Sequence, residues 1–263
     1  SLLFHARSRR GRWRNDFLPF LGAIPPLPAL KEPPSSREPI FLGPAPPPRD
    51  VPFHRVLDCR RSLREPGERP LPLEKLAEVL YRAARVTYAR SASPELGHHY
   101  DVAARPYPCA GACYELELYA AVHRCDSLEP ALYWYDPAGH ALRRAGENPR
   151  ALEALLAEAS ASAGGKHLPD CLLVITARFP RVLWKYGGLG YSLILKDVGV
   201  LMQTVSLCAE AAGLGACILG CGDSLVMADA AGLDPDAETS VGEIILWGEQ
   251  RGEPLRAGCV AAG

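Results

Sequence analysis

The chain has 263 residues, 48% of them hydrophobic, and a formal net charge of −1; this suits one domain with a sizeable core plus an arm. The near-neutral balance leaves no basic face for nucleic acid, which binds through counterion release. Nine cysteines without paired CxxC spacing argue against a zinc site and read as reduced thiols of a cytoplasmic protein.

Residues 1–50 are unlike the rest. Arg7, Arg9, Arg10, Arg12 and Arg14 form a basic cluster, and prolines crowd from Pro19 to Pro48. Proline at that density builds neither a helix nor an inner strand, so an extended arm is expected. It would serve as a leader-peptide or partner contact, or, more simply, as a strap over its own or a partner subunit. Residues 51–250 are then the folded domain and 251–263 a C-terminal tail. No layout of charged then apolar residues marks a signal peptide at the N-terminus.

Pro52–Ser62 reads as a helix with Phe53, Val56 and Leu57 inward, ending in Arg60, Arg61 and Ser62 with Arg64 beyond. Three guanidiniums and a hydroxyl match phosphate oxygens; equally, cations at a helix C-terminus complement its dipole. Pro72–Val86 is an amphipathic core helix, with Leu73, Leu76, Leu80 and Ala84 aligned. Residues 87–106 read as a polar loop. His98 and His99 lack a Cys or acidic partner at ligand spacing, so no metal is expected there.

Arg105–Tyr114 (RPYPCAGACY) reads as a turn pinned by proline and glycine, whose small side chains would let the backbone approach a flat ring. A Cys109–Cys113 redox pair is disfavoured because the spacing lacks the CxxC helix start that lowers a thiol pKa. Glu115–Val122 alternates as a strand does. Ala131–Tyr135 and His140–Arg144 flank the turn signal Asp136-Pro137-Ala138-Gly139 and form a hairpin. Ala151–Ala163 is an alanine-rich helix.

Cys171–Ala177 is a short β-branched run between Pro169 and Pro180, a buried strand. Ser192–Ala212 has helical period but is apolar nearly all round, so it belongs inside a core or a subunit interface. Lys196, Asp197 and Glu210 interrupt it, and no run is expected to span a bilayer. Between the two lies Lys185-Tyr186 beside Gly187-Gly188, read as a loop where both side chains converge. A glycine-rich loop at Gly220–Asp223, a short helix at Ser224–Ala231 and a last strand at Val241–Trp247 follow. Interleaved helices and strands indicate an α/β or α+β sheet domain.

Four blocks occur in order: RRSLR, PYPCAGACYELELY, ITARFPRVLWKYGGLGYSLILKDVG and LGCGDSLVMADAAGLDPDAETSVGEIILW. Together they resemble the SagB-type flavin dehydrogenases of the nitroreductase superfamily, over about residues 53–249. These include the oxidases that turn thiazolines and oxazolines of ribosomal peptides into azoles. The resemblance implies an α+β nitroreductase-like fold, a mixed or antiparallel central sheet flanked by helices, and a homodimer with a long central helix. It implies FMN, with Arg60, Arg61, Ser62 and Arg64 at the phosphate and pyrimidine edge. Pro108, Cys109, Ala110 and Gly111 would line the ring, and Leu219, Gly220, Cys221 and Gly222 would supply backbone N–H near flavin N5. Cys109 stands where relatives usually carry serine, which puts hydroxyl-dependent steps in doubt. Lys185 and Tyr186 match the pair assigned to proton transfer.

Azoline aromatisation removes a proton from one ring carbon and a hydride equivalent from its neighbour, and only a cofactor accepts the latter. Tyr186 would be the base if Lys185 lowers its pKa, or Lys185 itself if desolvation keeps it neutral. The expected partners are an azoline-containing precursor peptide and a cyclodehydratase, with no nucleic acid and no membrane. Two other readings stay open. One is different flavin redox chemistry, such as an NAD(P)H-fed reductase or another peptide oxidation; the other is a non-catalytic subunit of a peptide-modifying complex. The precursor, the thiazoline or oxazoline preference, leader recognition and the reoxidant are not fixed by sequence.

Overall fold

A computed structural model describes residues 2–9, 23–34 and 37–249. Arg10, Arg12 and Arg14 of the basic cluster, with the rest of residues 10–22 of the arm, and the 251–263 tail lie outside them. The helices are α1 (Leu2–Arg7), α2 (Phe53–Cys59), α3 (Leu73–Ala84), α4 (Pro149–Ser162), α5 (Phe179–Tyr186), α6 (Gly190–Ala212) and α7 (Ser224–Ala231). The strands are β1 (Ile40–Phe41), β2 (Tyr88–Arg90), β3 (Val102–Ala104), β4 (Leu116–Val122), β5 (Ala131–Asp136), β6 (Ala141–Arg144), β7 (Cys171–Arg178), β8 (Leu214–Leu219) and β9 (Glu238–Glu249).

Seven strands form one sheet in the order β1-β6-β5-β4-β7-β9-β8, with every pairing antiparallel. The fold is α+β, a central antiparallel sheet flanked by helices, as the resemblance implied. Central strands are apolar on both sides. Cys171, Leu173, Ile175 and Ala177 of β7 face a core shared with α3 and α6. Leu172 and Val174 face a second core with α4 and α7. That two-sided burial is why β7 reads as a continuous apolar run rather than an alternation.

Local chemistry sets the helix starts. Asn148 Oδ1 accepts from the N–H of Arg150 and Ala151 ahead of Pro149, and Asp223 Oδ1 caps α7 through Leu225 and Val226. On β9, Gly242 lets α6 approach: a Cβ there would collide with Met202 Cε and lie 2.8 Å from Val198 Cγ1.

Phe53 and Leu57, expected inward on α2, are exposed, and three further expectations need correction. Residues 88–90 and 102–104, inside the stretch read as loop, pair as a two-stranded sheet; Tyr88, Ala89 and Ala103 carry too little apolar pattern to announce it. By length and composition, Phe179–Ala212 is a candidate membrane span, although half of its apolar window is buried in the fold. Its buried face, with Ile194, Val198, Leu201 and Val205, packs in the sheet core, as a core helix does. The cysteines are not all thiols: seven are free, but Cys59 is disulfide-bonded.

Register places the chemistry-bearing segments. Leu116 pairs with Ala177, Ala177 with Thr239, and Leu219 with Glu243. The turn entering β4, the start of α5 and the loop leaving β8 therefore lie off the same end of the sheet. Strands β7 and β9 separate β4 from β8, which spaces them roughly 14 Å apart at about 4.8 Å per strand.

Candidate functional site

The 108–114 turn is strained. Gly111, Ala112 and Tyr114 have φ of 55°, 54° and 46°, a region that costs ordinary residues about 1–2 kcal/mol each. Such conformations persist only where the surroundings over-determine them. Here five side chains hold the turn. Lys185 Nζ donates to Gly111 O (2.9 Å), and Arg181 Nε donates to Cys113 O (3.0 Å). Tyr114 Oη donates to Tyr107 O (3.1 Å), and Ala110 N–H donates to Asp197 Oδ2 (3.0 Å). The Tyr114 N–H donates to Cys109 Sγ (3.1 Å).

Lys185 and Tyr186 occupy the last turn of α5 rather than a loop. They still converge, because Gly111 sits off the helix end: a Cβ on Gly111 would collide with Tyr186 Oη and lie 2.8 Å from Lys185 Nζ. Lys185 is buried; its ammonium also donates to Tyr100 Oη (2.8 Å) and lies 4.9 Å from that ring and 5.7 Å from the Tyr186 ring. Burial, reinforced by nearby Cys113 and Tyr100, pushes the Tyr186 phenol up to about 12. The expectation that Lys185 lowers this pKa is overturned: desolvation outweighs the ammonium, and Tyr186 is a neutral phenol at neutral pH.

Cys109 turns inward. Its thiol lies 3.1 Å from Glu115 Oε2 and 3.4 Å from Asp197 Oδ2. Burial and the two carboxyls push it far above the usual thiol range. Cys113 is pushed up to about 11, mainly by burial. Neither is a ready thiolate, and the Cys109 thiol is spent on the two carboxyls and the Tyr114 N–H. His98 Nε2 lies 3.2 Å from Arg90 Nη1.

The remaining predicted residues form a second group along β8. Leu63 N–H donates to Ala216 O (2.9 Å) and Trp247 Nε1 to Leu63 O (2.9 Å), which lays segment 60–64 beside the strand. The Ser62 side chain hydrogen-bonds with Cys217 on β8, which also feels the charge of Arg64. Arg60 is half-buried, and Arg61, Ser62 and Arg64 are exposed. Gly220, Cys221 and Gly222 are exposed in the loop that leaves β8; nothing lies within 4 Å of a Cβ placed on Gly220. A cationic segment, a hydroxyl and a glycine loop open at Gly220, though packed on Glu243 at Gly222, fit a phosphate-bearing cofactor.

Sequence reasoning missed several residues here. Tyr100 sat in a stretch read as featureless loop. Asp197 was noticed only as an interruption in an apolar helix, although a lone acid there needs a partner. Arg181, 2% exposed, is held by three carbonyls: Cys113 O, Leu27 O (2.6 Å) and Asp101 O (2.7 Å). The arm is drawn over α5 by its backbone: Trp184 Nε1 donates to Ile24 O (2.5 Å), and Arg178 donates to Pro28 O (2.8 Å) and Ala29 O (2.9 Å). Proline removes donors but not acceptors, so a proline-rich strand suits such a row of donors.

Residues 57–246 match the nitroreductase family. A protein of Methanocaldococcus jannaschii named as a nitroreductase is 30% identical over 171 residues, 65% of this chain and 79% of its own. A crystal structure described as a nitroreductase from Anabaena variabilis superposes with TM-score 0.66 at 22% identity, over 93% of this chain. The chain spans only 45% of that Anabaena protein. A chain of the Escherichia coli microcin synthetase McbBCD complex, solved with truncated pro-MccB17 bound, superposes with TM-score 0.55 at 21% identity, over 81% of this chain and 78% of that one.

Proposed function

The chain belongs to the nitroreductase family, a family of flavin-dependent oxidoreductases, and on that premise we propose that it is an FMN-dependent dehydrogenase oxidising azolines to azoles in a ribosomal peptide. The observation that carries the proposal is the convergence of Lys185 Nζ and Tyr186 Oη on Gly111 of a strained turn. The fold shared with a chain of a synthetase complex that holds a truncated precursor supports it. The family resemblance of the WKYGG segment supports it as well.

In this reading Arg60, Arg61, Ser62 and Arg64 hold the FMN phosphate and polar edge. The backbone of Pro108–Gly111 and the N–H groups of Leu219–Gly222 would complete its binding site. Bound FMN supplies a two-electron acceptor for hydride. The protein's own task is the ring proton. Lys185 commits two of its three N–H groups to Tyr100 Oη and Gly111 O, which fixes the ammonium beside Tyr186. Once the phenol proton has passed to solvent, that ammonium stabilises the Tyr186 phenolate, which takes the ring proton and returns to the phenol. At rest the phenol is protonated, because burial raises it to about 12; its ionisation therefore belongs to the substrate-bound state. A homodimer, a cyclodehydratase partner that delivers the precursor, and a cytoplasmic location are part of the same proposal.

Purified protein with FMN and an azoline peptide should show the visible flavin spectrum and a two-hydrogen mass loss on the peptide. Lys185→Ala and Tyr186→Phe should keep FMN and lose oxidation. Wild-type turnover by Tyr186→Phe would remove Tyr186 from the proton path. Steady NADPH consumption with a nitroaromatic, and no change in the peptide, would replace this reading with a reductase.

A further inference from the structure

Beneath the 108–114 turn lies a group of titratable side chains that the proposed chemistry does not use. Cys109 Sγ and the carboxylates of Glu115 and Asp197 place their donor and acceptor atoms within 4.8 Å of one another. Glu115 is 0% exposed at the entry to β4, and Asp197 is 7% exposed on α6, so the group joins helix, turn and strand.

Counting hydrogens decides its charge state. Two ionised carboxylates would present four acceptor oxygens. The hydrogens facing them are the Ala110 N–H, on Asp197 Oδ2, the Glu115 backbone N–H, and the single thiol proton, shared between Glu115 Oε2 and Asp197 Oδ2. Glu115 Oε1 is buried without a hydrogen-bond partner. The cations on the neighbouring helix are committed elsewhere: Lys185 to Gly111 O and Tyr100 Oη, Arg181 to three carbonyls. Lys196, beside Asp197 on α6, is exposed. Tyr107 and Tyr186, the phenols nearby, are both pushed up and neutral. Two bare negative charges in so few hydrogens would be costly.

We propose that Glu115 and Asp197 share one proton at neutral pH, and that this singly protonated carboxyl pair is the positioning device that holds the 108–114 turn against Lys185 and Tyr186. Asp197, as the ionised member, accepts the Ala110 N–H and sets that backbone in place. Glu115, as the acid, donates across to Asp197 and leaves the thiol proton to complete the ring of hydrogen bonds. Burial raises Glu115 to about 7 and raises Asp197 too, in keeping with a proton held by the pair rather than by either residue alone. Loss of that proton at alkaline pH leaves two buried like charges under the turn and loosens it.

The idea rests on the proposed role of the turn, but its proton can be seen without turnover. Infrared pH-difference spectra of the full chain should show a protonated carboxyl band that titrates near neutrality and is missing in Glu115→Gln. FMN affinity, followed by flavin fluorescence, reads the positioning. One pH unit above the pair's midpoint about a tenth of the wild type keeps the proton, so the apparent Kd should rise about tenfold. Glu115→Gln, which carries its hydrogen permanently, should keep at that pH the affinity the wild type loses. Asp197→Ala should bind FMN weakly at every pH. An unchanged carboxyl band in Glu115→Gln, parallel pH profiles for it and wild type, or stoichiometric zinc in the purified protein would each overturn the proposal. Absence of azoline oxidation would overturn only the functional reading, since the infrared band does not depend on it.

Discussion

Gly111→Ala separates stability from positioning at the turn. Alanine at φ 55° costs about 1–2 kcal/mol of left-handed strain, which in a chain of this size lowers Tm by about 2–8 °C. The new Cβ also collides with Tyr186 Oη and comes within 2.8 Å of Lys185 Nζ. Both are ends of side chains, so relief is cheap in energy but moves the pair. A displacement near 1 Å of positioned groups costs about 100-fold in rate, far more than a few degrees of Tm would explain. The control is Gly97→Ala, where φ is 76° but nothing lies within 4 Å of the added Cβ; it carries the strain without the collision. Melting curves should place the two variants together, and peptide turnover should separate them by about two orders of magnitude. Turnover of Gly111→Ala within a few-fold of Gly97→Ala would refute the reasoning that Lys185 and Tyr186 act from that spot.

Three further outcomes follow from particular contacts. Arg181→Gln strands carbonyls of Leu27, Asp101 and Cys113 and should cost about 2–4 kcal/mol in urea unfolding; limited proteolysis should then cut the 23–34 segment faster. Gly242→Ala drives a methyl into Met202 and Val198 and should cost about 1–3 kcal/mol, with Met202→Ala restoring part of it. Because burial raises Tyr186 to about 12 from 10.0, its contribution to stability is complete below pH 10.0 and drains away as pH rises towards 12. The wild type should therefore lose Tm between those values more steeply than Tyr186→Phe does.

The sheet and most helices were legible because their patterns are local. Val198, Leu201 and Val205 advertise burial through period, and Asp136-Pro137-Ala138-Gly139 advertises the hairpin that β5 and β6 form. The Lys185–Tyr186 pair was legible by family likeness, and the turn by its proline and glycines. What could not be read is what depends on meeting across the chain. Asp197 is separated from Ala110 by 87 positions and Arg181 from Leu27 by 154, and no spacing rule links them. The direction of Cys109 was hidden too: its sequence neighbours are small, whereas the carboxyls it meets are brought by β4 and α6. Tyr186 shows the same limit in its pKa, since adjacency to Lys185 says nothing about how much water surrounds the phenol.

Those long-range contacts share a logic. The fastenings of the 108–114 turn come from α5, α6, Glu115 and the turn itself, and α5 with the end of β7 ahead of it is in turn fastened to the strap through Arg178, Arg181 and Trp184. Arg181 takes part in both sets, since its Nε reaches Cys113 and its Nη1 reaches Leu27. The strap therefore does more than cover apolar surface. It supplies the Leu27 carbonyl, one of the three that hold the buried Arg181 guanidinium next to the turn, and an under-compensated buried charge is among the costlier defects a core can hold. A variant truncated before Lys31 should consequently lose the alignment of Lys185 and Tyr186 along with stability, and Arg181→Leu, which removes the charge that needs those carbonyls, should recover more of the stability than of the turnover.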